Sequence, residues 1–123
     1  MTQKTRNIIG WVLTGMLGLA FIGSGLMKVM GSEEAMKGAA TFGISEIAIK
    51  LLGVVEILAF VLFIIPRTGI VGTLLMVAYM GGAIATHLQH QMPIFAPIII
   101  ECLIWITAAI RFQELTKMLM SRK

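Results

Sequence analysis

Residues 47–65 read IAIKLLGVVEILAFVLFII, and this run decides the fold. It matches the roughly 20 apolar residues that cross a hydrocarbon core of about 30 Å. Yet Glu56 stands near its middle and Lys50 one turn inside its start. A charge held at such depth costs roughly 2.5–3.5 kcal/mol on insertion scales. Polar residues in that setting face the interior of a helical bundle, so the partners of Glu56 are to be sought on neighbouring spans.

Working outward, three more apolar stretches of similar length appear: Ile8–Met30, Gly69–Leu88 and Ile94–Ile110, the last reaching to Phe112. Apolar residues make up 58% of the 123 positions and charged ones only 13%. The mean hydropathy of +0.93 lies outside the range of ordinary soluble domains. These features predict an all-α integral membrane four-helix bundle, one domain over residues 1–123, with spans at about 8–30, 47–65, 69–88 and 94–112. No second domain is expected. The basic leader with Lys4 and Arg6 resembles a secretory signal, but the apolar run after it is too long and lacks a clear cleavage site. Neither end carries a lipidation motif.

The net charge of +4 follows topology and is no nucleic-acid footprint. Lys4 and Arg6 precede the first span, and Arg67 separates the second from the third. Arg111, Lys117, Arg122 and Lys123 follow the fourth. By the positive-inside rule these places, and hence both termini, are cytoplasmic. The opposite side balances Lys28, Lys37 and Lys50 against Glu33, Glu34 and Glu46. A multi-pass protein of the cell membrane is expected, the plasma membrane if the chain is bacterial.

The one long connection, residues 31–46, carries Ser32 followed by Glu33 and Glu34, a helix-capping signature. Met36, Ala39 and Ala40 then share a face, with Phe42 nearby. This predicts an interfacial helix across the outer mouth of the bundle; a disordered loop is the alternative. Ser45 is placed to cap the second span and Thr68 the third, with Pro66 stopping the helix between them. His90-Gln91-Met92-Pro93 makes the outer turn between spans three and four. Such short turns force antiparallel neighbours. Ala78, Gly82 and Thr86, with Gly81 and Ala85 beside them, suggest small-residue stripes for close helix contact in lipid. The ten methionines read as fillers of an irregular apolar interior.

Helical rise places Lys28 and His87 near the outer ends of spans one and three, Glu56 mid-span, and Glu101 in the outer half of span four. Ser24 lies one turn below Lys28 on the same face. One polar residue from each helix thus falls in the outer half. A carboxylate there either pairs with Lys28 or a protonated His87, or stays protonated as a hydrogen-bond donor. Either state suits a polar-headed ligand such as a quinone; an interhelical pair that only fixes packing is the alternative. Lys50 reads as a snorkelling residue, Arg111 as a marker of the cytoplasmic end, and Trp105 as lipid-facing or packing, with a place in the cavity beside Glu101 as its alternative. Trp11 fits an interfacial belt, and Tyr79 gives little direction. His87 and His90 with Glu101 make a weak metal pattern, and no metal site is expected. The sole cysteine, Cys102, has no second thiol for disulfide exchange.

Ser24-Gly-Leu-Met-Lys-Val-Met-Gly31 resembles the serine/glycine–lysine signature of the DoxX-like family. Gly53-Val-Val-Glu-Ile57 followed by Ile65-Pro-Arg67 is similar to that family's second span. Ala78-Tyr-Met-Gly-Gly-Ala-Ile-Ala-Thr-His87 resembles its third. The resemblance covers nearly the whole chain in order and implies a small four-helix membrane protein. It also implies association with membrane redox systems, such as a subunit of a thiosulfate:quinone oxidoreductase or a partner in thiol-oxidative-stress complexes. More distant relatives act as assembly factors. Lys28, Glu56 and His87 match the family pattern, whereas Glu101 comes from the physical argument alone.

Three functions follow as expectations. The first is a redox-associated membrane subunit, at most one subunit of an oxidoreductase, that holds a quinone or similar lipid-soluble molecule. A membrane or peripheral protein partner must then supply the other half-reaction. The second is a non-enzymatic assembly or scaffold protein whose Gly/Ala stripes contact other membrane proteins, with a homo-oligomer as one form. The third is a small proton-coupled transporter, weakened by a first span that carries Lys28 in place of a glutamate.

Overall fold

The computed structural model describes residues 1–120. Arg122 and Lys123, which entered the charge argument, lie outside the described residues. Six α-helices follow one another: α1 (Gln3–Met30), α2 (Glu33–Thr41), α3 (Glu46–Ile64), α4 (Gly69–Gln89), α5 (Phe95–Arg111) and α6 (Gln113–Met120). A single 3-10 turn, Pro66–Thr68, joins α3 to α4. Among the described residues there is no strand, so the all-α expectation holds.

The four long helices form a closed ring in which α1 packs on α3, α3 on α4, α4 on α5 and α5 back on α1. Neighbours run antiparallel: Gly25 of α1 faces Gly53 of α3 while Gly18 faces Phe60 seven residues later. The centre is filled at helical spacing by Leu17 and Phe21, Ala59 and Phe63, Met76 and Met80, and Ile104 and Ala108. Met76 and Met80 are buried fillers, but Met1, Met16, Met27, Met30, Met92, Met118 and Met120 are exposed, so most of the methionines do not fill the interior as expected. Thr14, Thr73 and Thr107 are buried too, and each hydroxyl donates to the carbonyl four residues earlier. The helix itself thus satisfies these polar atoms.

The outside is as apolar as the inside. Leu19 is 81% exposed and Ile47 75%, and Leu51, Val54, Leu58, Val61 and Ile65 form an exposed stripe along α3. In water, exposed apolar area costs about 25 cal/mol per Å²; against lipid it costs nothing. Helices α1, α3 and α4 (with its leading turn) are long and apolar enough to cross a membrane. A fourth crossing is counted if α5 and α6, bent by 104° from one another, form one broken span.

Local signals act largely as the sequence indicates. Ser32 and Ser45 cap α2 and α3 by accepting from the amides of Ala35 and Ala48, each at 3.2 Å. Gly31 ends α1 in the left-handed conformation (φ 69°), which glycine adopts without strain, and its amide reaches the Lys28 carbonyl. Three details differ from expectation. Thr68 does not cap α4; its hydroxyl donates to the Leu62 carbonyl at 2.9 Å and closes the end of α3. On α2, Ala39 turns inward while Ala40 is exposed. The small-residue stripes of α4 do not mediate contact between helices of this chain. Nothing lies within 4 Å of where a side chain would start at Gly81 or Gly82.

Candidate functional site

Close approach of α1 and α3 builds the site. A methyl group on Gly53 would stand 2.8 Å from the Gly25 carbonyl oxygen and from Lys28 Cβ. One on Gly25 would stand 2.6 Å from Ile57. These two glycines let the backbones meet, and Lys28, one turn past Gly25, is thereby brought onto Glu56, one turn past Gly53.

The Lys28 ammonium donates to Glu56 Oε1 at 2.7 Å and to the Tyr79 hydroxyl at 2.5 Å. Tyr79 in turn donates to the same Glu56 oxygen at 2.8 Å, closing a triangle across α1, α3 and α4. Ser24 adds a longer bond to that oxygen at 3.4 Å. Glu56 is only 4% exposed, whereas the Lys28 side chain is 20% exposed. The carboxylate is therefore the buried anchor and the ammonium is the face it presents. In a low-dielectric interior such a pair persists because further hydrogen bonds complete it.

Lys28 and Tyr79 form the polar floor of a cavity of about 440 Å³. Ile49 and Leu52 of α3 wall one side, and Ala78, Gly82 and Ala83 of α4 the other. Here lies the use of the small residues on α4: they make room. Ala35, Gly38 and Ala39 of α2, with Phe42 just after it, roof one side of the space, so the expected helix across the mouth is present and partly covers an open cavity. His87 lines the same cavity. Its Nδ1 bonds the Ala83 carbonyl at 2.6 Å, which fixes the proton there and leaves Nε2 as the other ring nitrogen. The ring lies 4.8 Å from that of Phe42, which also meets His90 at 5.4 Å.

Of the five residues expected to bind, Lys28, Glu56 and Ser24 come together directly, and His87 joins through the cavity. Glu101 does not join. It neither bonds the cluster nor lines the cavity, and its Oε1 is buried without a partner among the described residues. His87, His90 and Glu101 do not converge, and no three metal-ligating side chains group together among the described residues. Lys50 pairs with Glu46 at 3.4 Å on the surface. Trp105 lies outside the cavity. Tyr79 is the residue that sequence reasoning missed. Its signal was its spacing, since Tyr79, Ala83 and His87 repeat at four residues along one face of α4.

At the other end, Arg111 does far more than mark a boundary. Its guanidinium donates to the carbonyls of Phe63 at 2.9 Å and Ile64 at 3.1 Å, closing the end of α3. The rings of Trp11, Phe112 and Phe63 surround it at 4.5, 4.8 and 5.0 Å.

A model of the DoxX-like family matches residues 12–110. The chain belongs to the DoxX-like family. No curated protein and no solved structure matched it. The family match contains every residue of the triangle and of the roofed cavity. It stops one residue short of Arg111 and leaves out Trp11 and α6. Together with the apolar helices, membership makes this DoxX-like chain a membrane protein.

Proposed function

We propose that this DoxX-like protein is a redox-associated subunit of the cell membrane that binds a quinone or a similar lipid-soluble molecule under α2. The observation that carries this reading is the roofed, apolar-walled cavity with a lysine and a tyrosine at its floor. Ligand sites of this kind combine apolar walls with a few fixed polar groups. Lys28 spends two of its three donors on Glu56 and Tyr79, so one remains for a ligand carbonyl. His87 Nε2 accepts from a hydroxyl when neutral and donates to a carbonyl when protonated. Those capacities suit both the quinone and the hydroquinone form. A bound quinone would carry the electrons, and a protein partner would supply them, since one cysteine makes no dithiol.

The proposal includes four crossings, with both termini cytoplasmic and α2 outside. Thr2→Cys and Gly38→Cys, each in a Cys102→Ala background, should label from opposite sides of a sealed vesicle. Labelling from one side overturns the topology.

Native mass spectrometry of the protein in mild detergent, titrated with a benzoquinone bearing a decyl tail, tests the ligand. Binding should weaken at least about tenfold in Lys28→Met, or roughly 1.4 kcal/mol. Equal retention by the parent and by Lys28→Met sinks the quinone reading. A ligand-free chain that holds a membrane protein partner instead supports a scaffold.

A further inference from the structure

The opposite end of the bundle carries a second and larger cavity, of about 660 Å³, open on one side and bordered by the starts of α1 and α4, the 3-10 turn, the end of α5 and α6. Four cations from four separate elements line it: Arg6, Arg67, Arg111 and Lys117. Glu114 is the one acid on its walls. None of the four cations forms an ion pair among the described residues, where the only pairs are Lys28–Glu56 and Lys50–Glu46. Arg6 and Arg111 are positioned by backbone carbonyls, Arg6 through a 3.3 Å bond to Ile110 and Arg111 through the end of α3. A guanidinium has five donors, so both retain capacity for an anion. Arg67 and Lys117 are exposed at the rim.

The surroundings of this cavity are those of a membrane interface. Helix α6 turns by 104° from α5. Its Met118, Leu119 and Met120 are exposed, and so is Trp11 against Arg111. Apolar groups that flank a basic opening suit a molecule whose charged part enters and whose tail stays in lipid.

We propose that this cavity binds a phosphate oxyanion, carried by the headgroup of an anionic phospholipid or free in solution. Arg111 and Arg6 form its back wall and Arg67 and Lys117 its mouth. Planar guanidinium groups match phosphate oxygens in pairs, and the lysine adds a mobile point charge. Most of the lining lies outside the stretch matched by the family model, although Arg67 and its turn lie within it. The site is independent of the quinone reading at the other mouth.

The test uses delipidated full-length protein in mild detergent and native mass spectrometry. Phosphatidylglycerol, phosphatidylcholine and inorganic phosphate are titrated separately, and then phosphate against phosphatidylglycerol. The protein should hold phosphatidylglycerol over the zwitterionic lipid by about tenfold or more. Arg67→Gln with Lys117→Gln should erase that preference, while Arg67→Lys with Lys117→Arg should keep it. Both variants change exposed side chains, and their melting temperatures should match the parent. Preference for phosphatidylglycerol that phosphate cannot displace identifies the lipid as the source. Displacement by phosphate at comparable concentration identifies the free anion. No preference in the parent together with no phosphate adduct overturns the site, as does a preference that survives the Arg67→Gln/Lys117→Gln change.

Discussion

The two ends of the bundle each hold a half-buried cation, and they do so by different means. Lys28 is met by a carboxylate and a phenol supplied by two neighbouring helices. Arg111 is met by the last carbonyls of α3 and by three aromatic faces. An ammonium is a compact, strongly hydrated charge that needs a counter-ion once water is removed, whereas a guanidinium is flat, weakly hydrated and rich in directed donors. Helix C-termini offer unpaired carbonyls and partial negative charge, which a guanidinium satisfies without any acid. The cavities differ accordingly. Beside Lys28 the walls are apolar and the charge is already matched; beside Arg111 cations accumulate unmatched.

The contrast is most directly broken at Glu56. Glu56→Ala leaves the Lys28 ammonium without its partner and should cost about 3–5 kcal/mol, read as a large fall in melting temperature in detergent. Lys28→Met combined with Glu56→Leu should recover most of the loss, because it removes both charges. If Glu56→Ala melts with the parent, the pair is not a buried interaction. Arg111→Ala should come next, at about 2–3 kcal/mol for charge-assisted bonds to carbonyls. Arg111→Lys should recover little, since an ammonium cannot span both carbonyls and the rings; full recovery would erase the distinction between the two ends.

Gly53→Ala should cost about 1–3 kcal/mol by overpacking. It should also weaken quinone binding, because separating α1 from α3 draws Lys28 off Glu56. Stability lost with binding intact would uncouple the helix contact from the site. Tyr79→Phe should cost about 1 kcal/mol for its hydrogen bonds, with a larger effect on ligand titration than on melting. Lys50→Ala should stay within about 0.5 kcal/mol, as expected for an exposed pair four residues apart.

The same contrast explains what the sequence disclosed. A lysine and a glutamate inside apolar runs announce each other, because few arrangements satisfy both in lipid; Lys28 was for that reason one of the two partners, with His87, that the sequence offered a carboxylate at this depth. Arg111 binds backbone, and a carbonyl leaves no mark in a sequence, so its role was hidden. Tyr79 was passed over because one tyrosine in an apolar helix has many ordinary uses. Its place depended on how α4 is rotated against α3. The small residues of α4 were recognised as a pattern but assigned to contact, since sequence alone does not say whether a missing side chain is filled by a neighbour or left as space. Glu101 was grouped with the cluster by depth, yet depth along an axis says nothing of rotation about it.

One joint links the cavity's floor to its roof. The Gly31 amide holds the Lys28 carbonyl, and the Ser32 amide, in the residue that caps α2, holds that of Met27. Helix α2 is therefore hung from the very turn that carries the ammonium, with no slack between them. Its other end is closed in the same manner, the Ile44 amide holding the Ala39 carbonyl at 2.8 Å before Ser45 caps α3. A single residue added at 31–32 should therefore swing α2 away from the cavity floor. The turn that opens α2 and the ammonium at the cavity floor are thus one piece of chain.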